Sequence, residues 1–157
     1  MRLSLITILA VLAAALTLQA RNDSTRDAAT QGQLGWFTDY AAAKAKANEL
    51  NRPLLINFTG SDWCHACVEL ERNVFTKSDF KKFAAENVVL LKIDFPARKK
   101  QSEALQSQNA ALERAYRIQG FPTVVLADEQ GREKGRVLGL RPGGASGYVS
   151  HLKKMLN

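Results

Sequence analysis

Two apolar runs restrict the fold of this chain more than any other feature. Leu54–Phe58 and Val88–Asp94 are nearly uninterrupted stretches of Leu, Ile, Val and Phe, of strand length and not of helix length. Strands without polar alternation must be covered on both faces, as in a sheet held between helices. Between them, Thr59–Asp62 reads as a loop and the rest as helix: Cys67, Leu70 and Val74 recur at spacings of three and four from Trp63 to Phe75. Ser78 and Asp79 then restart a stripe of Phe80, Phe83 and Ala84. Two strands joined by a helical crossover pair in parallel, with a right-handed connection.

The flanking elements fit the same plan. Asp39 offers an N-cap to an Ala/Lys-rich helix from Tyr40 to Leu50, closed by Asn51 and Pro53. A helix is predicted from Ser102 to Ile118, capped by Gly120 and broken by Phe121-Pro122. Thr123–Ala127 and Glu133–Leu140 read as strands joined by the turn Asp128-Glu129-Gln130-Gly131, hence an antiparallel hairpin. A last helix runs from Ser146 to Leu156. The expectation is one α/β domain, a central mixed sheet of about four strands flanked by helices.

The N-terminus carries a different signal. Arg2 precedes an apolar run from Leu3 to Leu18, and Ala20 is followed by the polar Arg21-Asn22-Asp23. That run is shorter than the roughly 20 apolar residues a spanning helix needs, and the pattern suits a secretory leader cut after Ala20. The division expected is a leader over residues 1–20, a flexible lead-in over 21–35 and a folded domain over 36–157. An uncleaved anchor is the alternative. Export to the periplasm or the medium would place both cysteines where disulfides persist.

Those cysteines are the chain's only two, Cys64 and Cys67, in the sequence Trp63-Cys64-His65-Ala66-Cys67. They lie where an apolar strand gives way to a helix, one turn apart, so the sulfurs can meet. At a helix N-terminus, unpaired N–H groups and the helix dipole favour a thiolate, the form that attacks disulfides. Cys64 is the expected nucleophile, and Cys67 the thiol that closes on it and releases the partner. A cationic His65 would favour the thiolate further, whereas the Asp62 carboxylate would oppose it. Two other readings compete. A structural staple would close only a tiny loop. A zinc site wants four ligands where the pair supplies two, and His65 and His151 are the only histidines. No metal and no cofactor are expected.

With these residues in view, the chain resembles the thioredoxin superfamily. The resemblance rests on the apolar strand, Phe58-Thr59-Gly60-Ser61-Asp62-Trp63-Cys64-His65-Ala66-Cys67, and Gly120-Phe121-Pro122-Thr123 ahead of a strand and hairpin. It is nearest to exported bacterial thioredoxin-like proteins with Asp-Phe-Pro after the second strand, here Asp94-Phe95-Pro96. The resemblance implies a thioredoxin-like fold and a cis peptide before Pro122. It also implies a substrate groove at Trp63, Phe121, Pro122 and Gly139, in which the Phe121 backbone pairs with an extended segment by strand addition. Redox tuning would fall to Asp62, Trp63 and His65. The implied activity is thiol–disulfide exchange on protein or small-thiol disulfides, as a reductase or general interchange catalyst. Electrons would come from a membrane electron-transfer partner, and the protein would be a monomer. The alternative is a non-catalytic thioredoxin-fold module that binds peptides or a metal.

The chain departs from the family in two places. Its His65-Ala66 dipeptide is not the Gly-Pro of thioredoxins, the Gly-His of disulfide isomerases or the Pro-His of periplasmic oxidases. Asn57 stands nearest the position of a buried Asp that helps deprotonate the second cysteine, and Asn cannot be a base, although it can hold a water. Glu71 and Asp94 are the remaining candidates for a base. The formal charge of +7, from 22 Lys and Arg against 15 Asp and Glu, invites a nucleic-acid reading. The basic residues cluster only at 98–100 and 153–154, without interleaved aromatics or a recognition motif, so no nucleic-acid partner is expected.

Overall fold

The strand Leu54–Thr59 (β1) is buried along its whole length and hydrogen-bonded on both edges. The computed structural model that shows this describes residues 35–156, so the leader and residues 21–34 of the lead-in lie outside the described residues. Tyr40–Leu50 (α1) precedes β1. The Asp39 side chain accepts the Ala42 N–H at 2.8 Å, and Asn51 ends the helix at φ 50°. After β1 come His65–Leu70 (α2), a π-helical turn Glu71–Phe75, Ser78–Asn87 (α3) and Val89–Asp94 (β2). Glu103–Ala115 (α4), Thr123–Ala127 (β3), Glu133–Leu138 (β4) and Gly144–Leu156 (α5) complete the order.

The sheet runs β2-β1-β3-β4. β1 pairs with β2 in parallel (Ile56 beside Leu91) and with β3 antiparallel (Ile56 beside Val125). β3 and β4 form the expected antiparallel hairpin. Alternation along the strands splits the core in two. Leu55, Leu90, Val124 and Leu126 face α2, α3 and α5, where they meet Leu70, Phe75, Phe80, Tyr148 and Leu152. Leu54, Ile56, Phe58, Leu91, Ile93 and Val125 face α1 and α4, where they meet Ala43, Ala47, Leu112 and Tyr116. Phe37 bridges to Leu91 in parallel, with Phe37 N–H donating to the Leu90 carbonyl at 2.9 Å, and so covers part of the β2 edge.

Five expected boundaries move. The helix expected from Trp63 to Phe75 begins at His65 and widens into the π-helical turn at Glu71. That turn lets Val74 and Phe75, four and five positions beyond Leu70, both enter the core. The helix expected to reach Ile118 ends at Ala115. Arg117, at φ 51°, takes the left-handed position assigned to Gly120. β4 stops at Leu138 because Gly139 turns away at φ 64°. β2 and α5 begin at Val89 and Gly144, not at Val88 and Ser146.

The fully buried Phe58 ring lies 5.8 Å from that of Tyr116. Phe58→Ala is expected to cost about 3–5 kcal/mol in urea denaturation. Leu138→Ala, on the exposed edge, should stay within about 0.5 kcal/mol. Similar losses at the two positions would contradict this placement of the core.

Candidate active site

β1 delivers the chain into the loop 60–64, where Cys64 and Cys67 are joined by a disulfide with a Cα–Cα distance of 5.2 Å. Cys64 is the N-cap of α2, and its Sγ accepts the Cys67 N–H at 3.2 Å. The same N–H also reaches the Cys64 carbonyl at 3.1 Å, so the N-cap sulfur shares a backbone donor at the helix N-terminus, which stabilises negative charge there. The pair is 7% and 4% exposed, with Cys64 the more accessible.

Trp63 is 52% exposed, yet it is held in place. Its Nε1–H donates to the Phe95 carbonyl at 2.7 Å, and its ring meets Phe121 edge-on at 5.8 Å. Phe121 in turn lies 5.2 Å from Phe95. A Cβ on Gly60 would enter the Trp63 indole, so only glycine fits beneath it. The Phe121–Pro122 peptide is cis, as the resemblance implies. Gly139 N–H donates to the Pro122 carbonyl at 2.9 Å. Among the described residues, the N–H and C=O of Phe121 make no backbone hydrogen bond. They adjoin an open groove of about 490 Å³ lined by Arg117, Phe121, Pro122, Leu138 and Gly139. Trp63, Phe121, Pro122 and Gly139 thus gather at the end of the sheet that carries the disulfide.

The remaining candidates are arranged differently. His65 projects into solvent, 89% exposed, with Nε2 3.4 Å from Glu69 one turn on, so any charge it carries meets a carboxylate and water. The Asp62 carboxylate accepts the N–H groups of Ala97, Arg98 and Lys99 at 2.8, 2.8 and 3.1 Å. The Ala97 N–H chiefly, with those of Arg98 and Lys99 and the Arg98 charge, holds this carboxyl below the ordinary value. Asp94 binds the Ser61 N–H at 2.9 Å and the Ser61 hydroxyl at 2.6 Å, one oxygen each. Glu71 pairs with Lys92 at 3.2 Å. Asn57 is 3% exposed, and its Oδ1 has no partner among the described residues.

Phe95, Ser61 and Lys92 are contributors that sequence reasoning missed as site residues. The signal for Phe95 was present: β2 runs parallel to β1, so the residue after it must arrive beside the loop that holds Cys64. Among the described residues no group of three His, Cys, Asp or Glu is placed to hold a metal ion.

Comparison with known proteins agrees with this geometry. A family profile described as thioredoxin-like matches residues 35–128. Over 120 residues the chain is 34% identical to the disulfide bond reductase DsbH of Chlamydia pneumoniae, covering 76% of this chain and 72% of that protein. It is 29% identical over 121 residues to the thioredoxin-related protein DsbJ of the same organism, covering 77% of this chain and 33% of that one. A solved structure of a DsbH oxidoreductase superposes with a TM-score of 0.74 at 34% identity, over 81% of this chain and 87% of the other.

The depressed Asp62 carboxyl gives a pH test. Its folded pKa lies below the ordinary 3.8, so its contribution to stability is complete above that value and is lost as pH falls through the folded pKa. Urea denaturation should show Asp62→Asn less stable than wild type at neutral pH, with the two converging below about pH 4. A gap that persists unchanged into acid would contradict this.

Proposed function

The chain belongs to the thioredoxin-like family and is a thiol–disulfide oxidoreductase, and from that premise we propose that it works outside the cytoplasm as a disulfide reductase. The observation that carries the direction is the 34% identity, over most of both chains, to a protein named as a disulfide bond reductase. In this reading residues 1–20 are a leader removed on export, residues 21–35 connect it to the domain, and 36–157 form the catalytic domain.

The reduced dithiol acts in two exchanges. The Cys64 thiolate attacks one sulfur of the substrate disulfide and expels the other as a thiolate, leaving a mixed disulfide. Cys67, deprotonated, then attacks Cys64 Sγ and expels the second substrate thiolate. Two electrons pass to the substrate, its two sulfurs take up protons, and Cys64–Cys67 becomes the disulfide seen here. The greater exposure of Cys64 supports its role as the attacking sulfur. The free N–H and C=O of Phe121 beside the groove support docking of an extended segment by strand addition. Trp63 and Gly139 border that segment, and Trp63, Asp62 and His65 tune the dithiol through packing, loop anchoring and charge. Returning Cys64–Cys67 to the dithiol requires a reductant, for which a membrane electron-transfer partner is the fitting source in an oxidising compartment. The catalytic unit is a monomer.

The test uses reduced protein and a disulfide-linked protein substrate such as insulin. Cys64→Ser should abolish reduction. Cys67→Ser should accumulate a mixed disulfide on Cys64 that dithiothreitol releases, seen as a mass adduct. Turnover by Cys64→Ser, or no reduction by the wild-type dithiol, would overturn the proposal.

A further inference from the structure

The topology sends four connections to one end of the sheet. β1 and β2 end there, β3 begins there, and β4, antiparallel to β3, ends there. The connections are residues 60–64, 95–102, 116–122 and 139–143, and the first of them ends at Cys64 of the disulfide. They contain the cations Arg98, Lys99, Lys100, Arg117 and Arg141 and a single carboxylate, Asp62. Asp62 is already bound by three backbone N–H groups, which tie the basic loop to a residue two positions before Cys64. Arg98, Lys99, Lys100 and Arg117 are exposed, and among the described residues none forms an ion pair. Arg141, also exposed, sits in the connection between β4 and α5. The charge that looks dispersed in the sequence is gathered at the redox end.

Apolar side chains accompany these cations. Of the five large hydrophobic residues exposed on the described surface, Trp63, Leu138 and Leu140 lie on or next to these connections, Val68 follows Cys67 on α2, and Leu50 lies elsewhere. The site thus presents a buried disulfide, an apolar border and unpaired cations beyond it. A cationic rim raises the local concentration of anionic partners and penalises cationic ones.

We propose that the natural substrate is an acidic polypeptide segment, one whose reducible disulfide is flanked by Asp or Glu. This rests on the reductase reading above and adds the substrate class to it. The chemistry is unchanged: Cys64 and Cys67 give two electrons and form their disulfide, and the substrate disulfide becomes two thiols. Arg117 borders the groove at the Phe121 backbone, and the segment that carries Arg98, Lys99 and Lys100 is tied through its backbone to Asp62, next to Trp63, with Lys99 and Lys100 also lining a cleft beside Glu103 and Glu113, so a docked acidic segment finds a cation at the groove and others on the tied loop.

The experiment is a single-turnover measurement with fully reduced full-length protein, which needs no added electron donor. Three disulfide-linked peptides of equal length are compared, flanked by Glu, by Ser or by Lys. Each rate is divided by that of the same peptide with dithiothreitol, a neutral dithiol, to remove differences in intrinsic disulfide reactivity. The Glu peptide should react about 10-fold faster than the Lys peptide at low ionic strength. That ratio should fall to within about twofold in 0.5 M salt, where screening acts within a few ångströms. Lys99→Gln/Lys100→Gln keeps the backbone donors to Asp62 and the Arg98 charge beside it; it should lower the ratio and leave the Ser peptide unchanged. A ratio near one at low salt, a ratio indifferent to salt, or an unaltered ratio in the variant would overturn the proposal. Failure to reduce even the Ser peptide would count against the reductase reading itself, so the two can fail separately.

Discussion

The burial of β1 on both faces, with hydrogen-bonded neighbours on both edges, is the constraint on which the site depends. A strand held this way has little freedom to shift, because any slip exposes apolar residues on one face and breaks a ladder on each side. Its register places Thr59 beside Asp94 and Phe58 beside Thr123, so the loop after β1, the segment after β2 and the segment before β3 meet at one end. Cys64, Phe95 and Pro122 are distant in sequence and converge because three strand ends do.

Two carboxylates turn that convergence into a fixed geometry. Asp94 at the end of β2 binds Ser61, and Asp62 binds the backbone of residues 97–99, so each segment anchors the other. Trp63 adds a third tie through the Phe95 carbonyl. The chemical consequence concerns charge. Backbone donors stabilise the Asp62 carboxylate where it sits. Asp94, a candidate base in the sequence, holds Ser61 with both oxygens. Glu71 is held by Lys92. Asn57 brings an unpartnered buried amide oxygen on the sheet face that packs against α2. The layer beneath α2 is therefore polar without a solitary buried carboxylate.

Much of this was legible in the sequence, because it depends on local periodicity. The apolar runs, the helical spacing between them, the Asp39 cap and the Cys64-x-x-Cys67 junction are properties of neighbouring residues. The order β2-β1-β3-β4 was legible only in part, since the antiparallel β1–β3 pairing depends on how the chain returns after α4. The π-helical turn was hidden because Val74-Phe75 is compatible with an α-helix that buries only one of the two, and the demand to bury both comes from the core. The left-handed Arg117 was hidden by Gly120, which is the better local candidate for that conformation. Helix α4 ends earlier because the Tyr116 hydroxyl, donating to the Gly131 carbonyl, ties its last turn to the β3–β4 connection. The roles of Asp62 and Phe95 require pairs separated by more than thirty residues, which no local pattern encodes.

The exposure of the two sulfurs bears on where selectivity can reside. At 7% and 4%, they present too little surface to distinguish one disulfide from another. Backbone pairing at Phe121 is equally indifferent to side chains, since every residue but proline offers the same N–H and C=O. Discrimination must then come from what borders the cysteines, namely apolar side chains at contact distance and cations acting at longer range. The first operates only once a substrate is docked, whereas the second also acts on the encounter. An exchange enzyme that must release its product quickly has reason to place selectivity in the encounter, because a tightly held product would slow each cycle. The gathering of unpaired cations in the four connections, while Asp62, the one carboxylate among them, is bound to backbone donors, has the physical form such selectivity requires.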